Sequence, residues 1–287
     1  MEKAIKRYWP VFVLPTLIAF IIGFVWPFIW GTGLSFCKFT TVKNVQFAGL
    51  SNYKMILMDD TFTHAFWFTA AFTVVSTVLV NVLAFAIALL LTRGMRGTNA
   101  FRTIFFLPNL IGGIVLGYIW KLIFDAFLRS ASLQPLLTNA TYGFWGLVIL
   151  VAWQQIGYMM IIYIAGLQAI PDDMLEAAKI DGAGRWQTLW HVTIPNVMPS
   201  VTICVFLTLT NSFKLFDQNL ALTNGSPQIP GTNIYKTEML ALHIFKTNGI
   251  GNSWKGVAQA EAVIFFILVA ALALLQLRAT RTKEVQQ

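Results

Sequence analysis

Residues 67–91 read WFTAAFTVVSTVLVNVLAFAIALLL, and none of these 25 side chains is charged. A helix of about 20 apolar residues crosses the roughly 30 Å hydrocarbon layer of a bilayer. Backbone polar groups cannot stay unpaired in lipid, and an uninterrupted apolar run lacks the alternation of a barrel strand. The stretch therefore predicts a membrane-spanning α-helix.

Similar runs recur along the chain and predict an all-α, polytopic bundle of about six spans. The composition agrees, because 57% of the residues are hydrophobic and only 11% are charged, against about 25% charged in soluble domains. We predict a single transmembrane domain over residues 1–287. The predicted spans are 11–34, 67–91, 103–124, 144–168, 199–216 and 257–277.

The basic residues orient the predicted bundle. Six spans place both termini on one side, together with the segments 93–102 and 170–196. That side carries 11 basic residues: Lys3, Lys6, Arg7, Arg93, Arg96, Arg102, Lys179, Arg185, Arg278, Arg281 and Lys283. The opposite loops carry seven: Lys38, Lys43, Lys54, Arg129, Lys236, Lys246 and Lys255. The positive-inside rule predicts cytoplasmic termini.

The net charge of +8 does not indicate nucleic-acid binding, because the basic residues are scattered between apolar runs. The two cysteines, Cys37 and Cys204, match no metal or redox spacing. The three histidines, His64, His191 and His243, form no catalytic motif. We therefore expect no catalytic or metal-binding residues in this chain.

The span centres contain no Asp, Glu, Lys, Arg or His. Proton- or sodium-coupled carriers need an ionisable group near the midplane, so this absence argues against ion coupling. Thr69, Thr73, Thr77 and Asn81 recur every four residues and share one helix face, which favours hydrogen bonding between packed helices.

Other neutral polar side chains are candidates for a solute pathway. They are Gln154, Tyr158, Asn211 and Ser212, on the fourth and fifth predicted spans. Amides, hydroxyls and aromatic rings suit a sugar, which offers hydroxyls and a flat apolar face. Interhelical hydrogen bonding remains an alternative for them. In the third span, Pro108 predicts a kink, and Gly113 with Gly117 predicts close helix packing.

The loop 170–196 predicts a helix–turn–helix outside the membrane. Pro171 suits a first helical turn, and Asp172 and Asp173 favour a helix N-terminus. Gly182 or Gly184 can adopt the left-handed conformation that ends a helix. A second short helix should follow, and we expect Pro195 to stop it before the fifth span.

This loop resembles the EAA loop of bacterial ABC importer permeases, whose pattern is E-A-A-x3-G-x9-I-x-L-P. The matching residues are Glu176–Ala178, Gly182 and the segment 192–195, with Val192 for Ile and Ile194 for Leu. The resemblance implies docking to an ATPase subunit. The residues it assigns to coupling are Glu176, Ala177, Ala178, Asp181, Gly182, Ile194 and Pro195. We expect the small Ala177 and Ala178 to let the helix lie deep in a partner groove.

Three further segments resemble sugar permeases of the maltose and glycerol-3-phosphate type. Residues 49–53 (GLSNY) match G-L-x-N-Y, and residues 166–171 (GLQAIP) match G-L-Q-x-I-P. Residues 222–227 (LTNGSP) match L-T-x-G-G-P, with Ser226 replacing the second glycine. The resemblance thus extends over nearly the whole chain.

The resemblance implies a carbohydrate permease in a bacterial-type inner membrane. The implied partners are a second permease subunit, two ATPase subunits and an extracytoplasmic solute-binding protein. The chain has no G-x-x-x-x-G-K-[ST] loop, so ATP and Mg²⁺ are expected on the ATPase subunits, with no cofactor in this chain. Two alternatives stay open: a permease for another small solute such as glycerol phosphate, or a stand-alone secondary carrier.

Overall fold

A computed structural model describes residues 2–41, 43–94, 97–249 and 255–281. Two of the basic residues that orient the chain, Arg96 and Lys283, lie outside the described residues. The chain divides into two compact units, residues 1–59 with 244–266 and residues 60–243 with 267–287. A single domain over residues 1–287 stays a prediction.

Helices account for most of the described residues. They are α1 (Glu2–Phe20), α2 (Trp26–Leu34), α3 (Ser51–Leu57), α4 (Asp60–Leu91), α5 (Thr98–Phe106), α6 (Gly113–Ser130), α7 (Ala140–Gln168), α8 (Asp172–Ile180), α9 (Arg185–Thr188), α10 (Ile194–Phe213), α11 (Asp217–Leu222), α12 (Leu240–Gly249) and α13 (Lys255–Arg281). Two π turns span Ile21–Val25 and Leu189–Thr193, and two 3-10 turns span Leu107–Leu110 and Leu136–Thr138. Strands β1 (Cys37–Phe39) and β2 (Val45–Phe47) pair antiparallel.

Within the described ranges, five helices are long and apolar enough to cross a membrane, or six if one bent pair counts as a single span. The five are Val13–Leu34, Asp60–Leu91, Ala140–Gln168, Arg185–Phe213 and Lys255–Arg278. The prediction of an all-α, polytopic fold of about six spans is therefore confirmed.

The third predicted span, 103–124, is not one continuous helix. The segments Thr98–Leu110 and Gly113–Ser130 meet at a bend of 102°. The backbone is extended at Ile111 (φ −89°, ψ 133°) and at Gly112 (φ −61°, ψ 140°). Pro108 supplies no N–H donor, and the paired glycines 112 and 113 give no side-chain packing that would hold a straight helix.

The prediction that Pro195 stops a short helix before the fifth span is also wrong. The helix runs from Arg185 to Phe213, with the π turn Leu189–Thr193 just before Pro195. A proline ring clashes with the carbonyl four residues earlier, here that of His191. His191 lies in the wider π turn, and the Asn196 side chain donates to the carbonyl of Val192 at 2.7 Å. The helix therefore continues through the proline.

In the unit of residues 1–59 and 244–266, Asn52 holds the chain that follows the first span. Its side-chain amide is fully buried and donates to the carbonyls of Ser35 (2.8 Å) and Cys37 (3.0 Å). The Tyr53 hydroxyl lies 2.6 Å from Ser35 Oγ, and Gly49 has φ +56°. The G-L-S-N-Y segment thus stabilises the start of the β1–β2 hairpin through hydrogen bonds.

In the larger unit, α4, α7 and α10 pack around a common core. The two faces of α4 are opposite in character: Thr69, Thr73 and Asn81 are buried, whereas a valine stripe at positions 74, 78 and 82 is about 60% exposed. Such an arrangement suits a helix whose outer face contacts lipid.

The buried Asn81 side chain joins the three core helices. The Tyr163 hydroxyl of α7 donates to Asn81 Oδ1 at 2.7 Å, and Asn81 Nδ2 donates to Thr208 Oγ1 of α10 at 3.2 Å. The sequence predicts that the threonine–asparagine face of α4 forms hydrogen bonds to packed helices. The two bonds of Asn81 agree with that prediction.

The loop 222–227 closes against the chain that follows it. Asn224 and Gly225 have positive φ, and Ser226 does not, so serine replaces glycine there without strain. The Thr237 hydroxyl donates to the carbonyl of Ser226 at 2.6 Å, and the Lys236 amide donates to that of Pro227 at 2.8 Å.

Candidate functional site

A cavity of about 380 Å³ lies between α7, the end of α10, α11 and the turn before α6. Of the predicted pathway residues, Gln154, Tyr158 and Asn211 line it, whereas Ser212 is fully buried and does not. The complete lining is Asn109, Gln154, Gln155, Tyr158, Met159, Asn211, Lys214, Leu215, Phe216, Asp217 and Gln218.

The Gln154 side chain fixes one wall of this cavity. Its Nε2 donates to the carbonyl of Ile111 at 3.1 Å, at the break between α5 and α6. Its Oε1 accepts from Gln218 Nε2 at 2.7 Å. A broken helix leaves carbonyls without intrahelical donors, so the amide supplies the partner that the bend removes.

Glycines bring the surrounding helices close together. A Cβ at Gly117 would lie 2.5 Å from Ala221 Cβ, and one at Gly113 would lie 2.8 Å from Asp217 Cβ. The Gly113–Gly117 pair thus packs α6 against α11, as the small-residue spacing predicts. At Gly157, a Cβ would lie 1.8 Å from the carbonyl oxygen of Phe105, so α7 approaches the backbone of α5 directly.

The lining chemistry suits a neutral, polyhydroxylated solute. Five amide side chains are present: Asn109, Gln154, Gln155, Asn211 and Gln218. Each amide both donates and accepts hydrogen bonds. Tyr158 and Phe216 add aromatic faces. The Gln155 Oε1 is buried and has no hydrogen-bond partner in the structure.

The charged lining residues are Lys214 and Asp217, which have opposite sign. Among the described lining residues there is one carboxylate and no histidine or cysteine. This donor set is unsuited to holding a metal ion, which in proteins takes several carboxylate, imidazole or thiolate ligands.

The structure also shows lining residues that sequence reasoning missed, namely Asn109 and Gln218. Asn109 directly follows Pro108, a helix-breaking pair that marks the turn. Gln218 lies in α11, beyond the fifth span, and no local pattern connects it to Gln154, which lies 64 residues away in sequence.

In the loop 170–196, α8 ends in a Schellman motif centred on Gly182. Gly182 has φ +75°, the Ala183 amide donates to the carbonyl of Ala178 at 2.9 Å, and the Gly182 amide donates to that of Lys179 at 3.1 Å. Gly184 instead has φ −68° and begins α9, where its amide donates to Gln187 Oε1 at 2.7 Å.

The two faces of α8 differ in the same way as those of an amphipathic docking helix. Leu175 and Ala178 pack toward the core of their own unit. Asp173, Glu176 and Ala177 are exposed together with Ile180, which is 86% exposed. Of the two alanines expected to face a partner, the structure leaves only Ala177 accessible.

The other predicted coupling residues lie on both sides of α9. Asp181 caps the C-terminal end of α8 and is exposed. Ile194 and Pro195 begin α10 and are half-buried. They form the base of the long helix rather than part of the α8 surface.

The fold and the cavity define a polytopic helical membrane protein with a polar chamber in its bundle. Residues 84–281 match the model of the binding-protein-dependent transport system inner membrane component family. The chain belongs to this family.

Two relatives match nearly the whole chain. A probable starch degradation products transport system permease protein of Thermoanaerobacterium thermosulfurigenes is 42% identical over 97% of this chain and 95% of its own length. A multiple sugar-binding transport system permease protein of Streptococcus mutans is 30% identical over 99% of both chains.

Two further proteins show the range of the similarity. An sn-glycerol-3-phosphate transport system permease protein of Brucella abortus is 30% identical over 94% of this chain and 93% of its own. A chain in the crystal structure of a bacterial ABC transporter that imports the acidic polysaccharide alginate superposes with a TM-score of 0.80 at 21% identity, over 98% of both chains. That superposition establishes the fold.

Proposed function

We propose that this chain is a permease subunit of an ATP-driven importer for a carbohydrate, and that the amide-lined cavity is its part of the solute pathway. The observation that carries the proposal is the convergence of Gln154, Tyr158 and Asn211 on one chamber. Amides can bond sugar hydroxyls in either direction, and the rings offer faces for the apolar side of a pyranose. The names of two relatives, for starch degradation products and for multiple sugars, support the same substrate class.

The transport mechanism follows from the two sites in the larger unit. ATP hydrolysis on two partner ATPase subunits, which hold ATP and Mg²⁺, would move α8, and α8 would rock the bundle around the cavity. Rigid-body rocking around a fixed site is the general logic of alternating access. A second permease subunit would close the pathway, and an extracytoplasmic solute-binding protein would deliver the sugar.

In this arrangement both termini and α8 lie on the cytoplasmic side of a bacterial-type inner membrane. The distribution of basic residues supports that orientation. Glu176 then offers one charge to the ATPase, and a pair with an ATPase Arg or Lys would set the register of docking.

Uptake of a radiolabelled starch-derived oligosaccharide, in cells that produce the chain with its partner subunits, tests the pathway. We expect Asn211→Leu and Tyr158→Leu to lower uptake about tenfold or more, because each removes a hydrogen-bonding group from the lining. Ser212→Ala is the matched control and should transport normally, since Ser212 lies outside the lining. Normal uptake by both lining variants, with the ATPase still bound, would place the pathway elsewhere.

A second candidate substrate is glycerol phosphate. Lys214 is the cation among the lining residues, and it suits a phosphate. The 30% identical Brucella abortus relative is named for sn-glycerol 3-phosphate. If unlabelled glycerol phosphate competes for uptake and Lys214→Gln abolishes that competition, this candidate replaces the neutral sugar.

A further inference from the structure

A second cavity, of about 780 Å³, lies between the end of α4 and the helices of the loop 170–196. Its walls combine apolar and basic side chains. The lining residues are Ala86, Leu89, Leu90, Arg93, Leu175, Lys179, Ala183, Arg185, Trp186, Thr188, Leu189 and Thr193. None of the predicted pathway or coupling residues is among them.

The cavity lies where two candidate spans end. Arg93 follows the span Asp60–Leu91 by two residues, and Arg185 is the first residue of the span Arg185–Phe213. Leu89 and Leu90 occupy the last turn of one span, and Leu189 lies in the second turn of the other. Arg93 and Arg185 therefore lie at the ends of two candidate spans, and the three leucines lie within those spans. Basic side chains at helix ends meet phospholipid headgroups, and apolar side chains within a span meet acyl chains.

The charge of the lining has a single sign. Arg93, Lys179 and Arg185 all line the cavity, and no Asp or Glu does. All three are exposed, and in the described part of the chain no carboxylate lies within ion-pair distance of them. The acidic residues Asp173 and Glu176 lie on the exposed face of α8 and do not line the cavity.

We propose that this cavity binds one anionic phospholipid of the cytoplasmic leaflet, with its phosphate against Arg93, Lys179 and Arg185 and an acyl chain along Leu89, Leu90 and Leu189. Basic pockets at the cytoplasmic ends of membrane helices bind such headgroups. Trp186, which is 73% exposed, also lines the cavity and directly follows Arg185. Tryptophan is a side chain that contacts lipid headgroups at membrane interfaces. The leaflet rests on the orientation under the proposed function, whereas the binding chemistry does not.

A bound lipid here would contact both α4 and the segment that carries α8. Lys179 lies in α8 itself, and Arg185 begins the helix that follows it. The phosphate would thus brace the base of the coupling segment, and lipid composition would modulate transport.

Native mass spectrometry of the full-length chain, purified with the subunits that accompany it, tests the site with two probes of identical acyl chains: dioleoyl phosphatidylglycerol and dioleoyl phosphatidylcholine. Each cation near an anionic headgroup is worth about fivefold in affinity. We expect the triple variant Arg93→Gln, Lys179→Gln, Arg185→Gln to bind phosphatidylglycerol about a hundredfold more weakly, because it removes all three cations. The control triple Lys38→Gln, Lys54→Gln, Arg129→Gln makes the same charge change at exposed positions and should bind as the wild type does.

A second variant separates the acyl groove from the charge. Ala86→Trp places a bulky side chain in the cavity without altering any basic residue and should also lower phosphatidylglycerol retention severalfold. Equal retention of the two lipids by the wild type, or unchanged retention in either cavity variant, overturns the proposal. A triple variant that keeps the lipid and loses the ATPase also overturns the proposal, because the three basic residues would then belong to the ATPase interface. Lipid retention in native mass spectrometry does not depend on solute uptake. A failure of the lipid proposal can therefore be distinguished from a failure of the transport proposal.

Discussion

The side-chain amide of Gln154, in the middle of α7, donates to the carbonyl of Ile111 at 3.1 Å, at the point where the third span bends by 102°. The same side chain accepts from Gln218 at 2.7 Å. One residue therefore supports the broken helix, the α11 segment and the wall of the proposed pathway. The hydrogen bonds of Gln154 thus connect the bend in the third span to the wall of the cavity.

Replacing Gln154 by leucine should destabilise the protein as well as impair transport. The change removes both hydrogen bonds, which join partly buried groups. The loss of each such bond costs about 0.5–1.5 kcal/mol. The measurement is the thermal midpoint of the purified chain in detergent. Gln155→Leu is the matched control, because Gln155 Oε1 has no hydrogen-bond partner to lose. Equal midpoints for the two variants would show that the bridge does not stabilise the bend.

Gly157→Ala should disrupt the contact between α7 and α5. The added methyl group would lie 1.8 Å from the Phe105 carbonyl oxygen, so one backbone must move. Overpacking of this kind costs about 1–3 kcal/mol or more. We expect reduced yield of folded protein on size-exclusion chromatography. Gly112→Ala is the control, because nothing lies within 4 Å of its added Cβ. A Gly157→Ala protein that folds as well as Gly112→Ala would argue against this close approach.

Gly182→Ala should weaken the turn that ends α8, whereas Gly184→Ala should not. The two glycines lie in the same loop, but Gly182 has φ +75° and Gly184 has φ −68°. A side chain in the left-handed region costs about 1–2 kcal/mol. We expect lower uptake for Gly182→Ala and near-normal uptake for Gly184→Ala, with equal amounts of both proteins in the membrane. The reverse order would mean that the Schellman turn is not needed for coupling.

Much of the fold follows from local sequence. Long apolar runs predict the spans because bilayer thickness sets their length, and the four-residue spacing from Thr69 to Asn81 predicts the buried face of α4 because helix periodicity is local. The sequence leaves Gly182 and Gly184 as equal candidates for the positive φ. The structure assigns it to Gly182, where the turn is closed by hydrogen bonds to the carbonyls of Ala178 and Lys179.

The features that could not be predicted from the sequence are those stabilised by residues far away along the chain. The break at Ile111 depends on Gln154, 43 residues later, and a proline with paired glycines does not indicate whether a helix kinks or breaks. Continuation of the helix through Pro195 depends on a π turn that relieves the proline clash. For the same reason the sequence does not indicate that Gln218 lines the cavity or that Ser212 lies outside its lining.

Co-purification of the ATPase subunit with a Glu176→Lys variant tests most directly the claim that α8 couples ATP hydrolysis to transport. Glu176 is exposed, so the change should not affect insertion or folding, while the reversed charge should oppose the docking pair. Asp60→Lys makes the same charge reversal at an exposed residue at the start of α4, on the predicted opposite side of the membrane. We expect that Glu176→Lys loses the ATPase and uptake together, or retains the ATPase without uptake, and that Asp60→Lys retains the ATPase. Normal ATPase binding and normal uptake in the Glu176→Lys protein would contradict it.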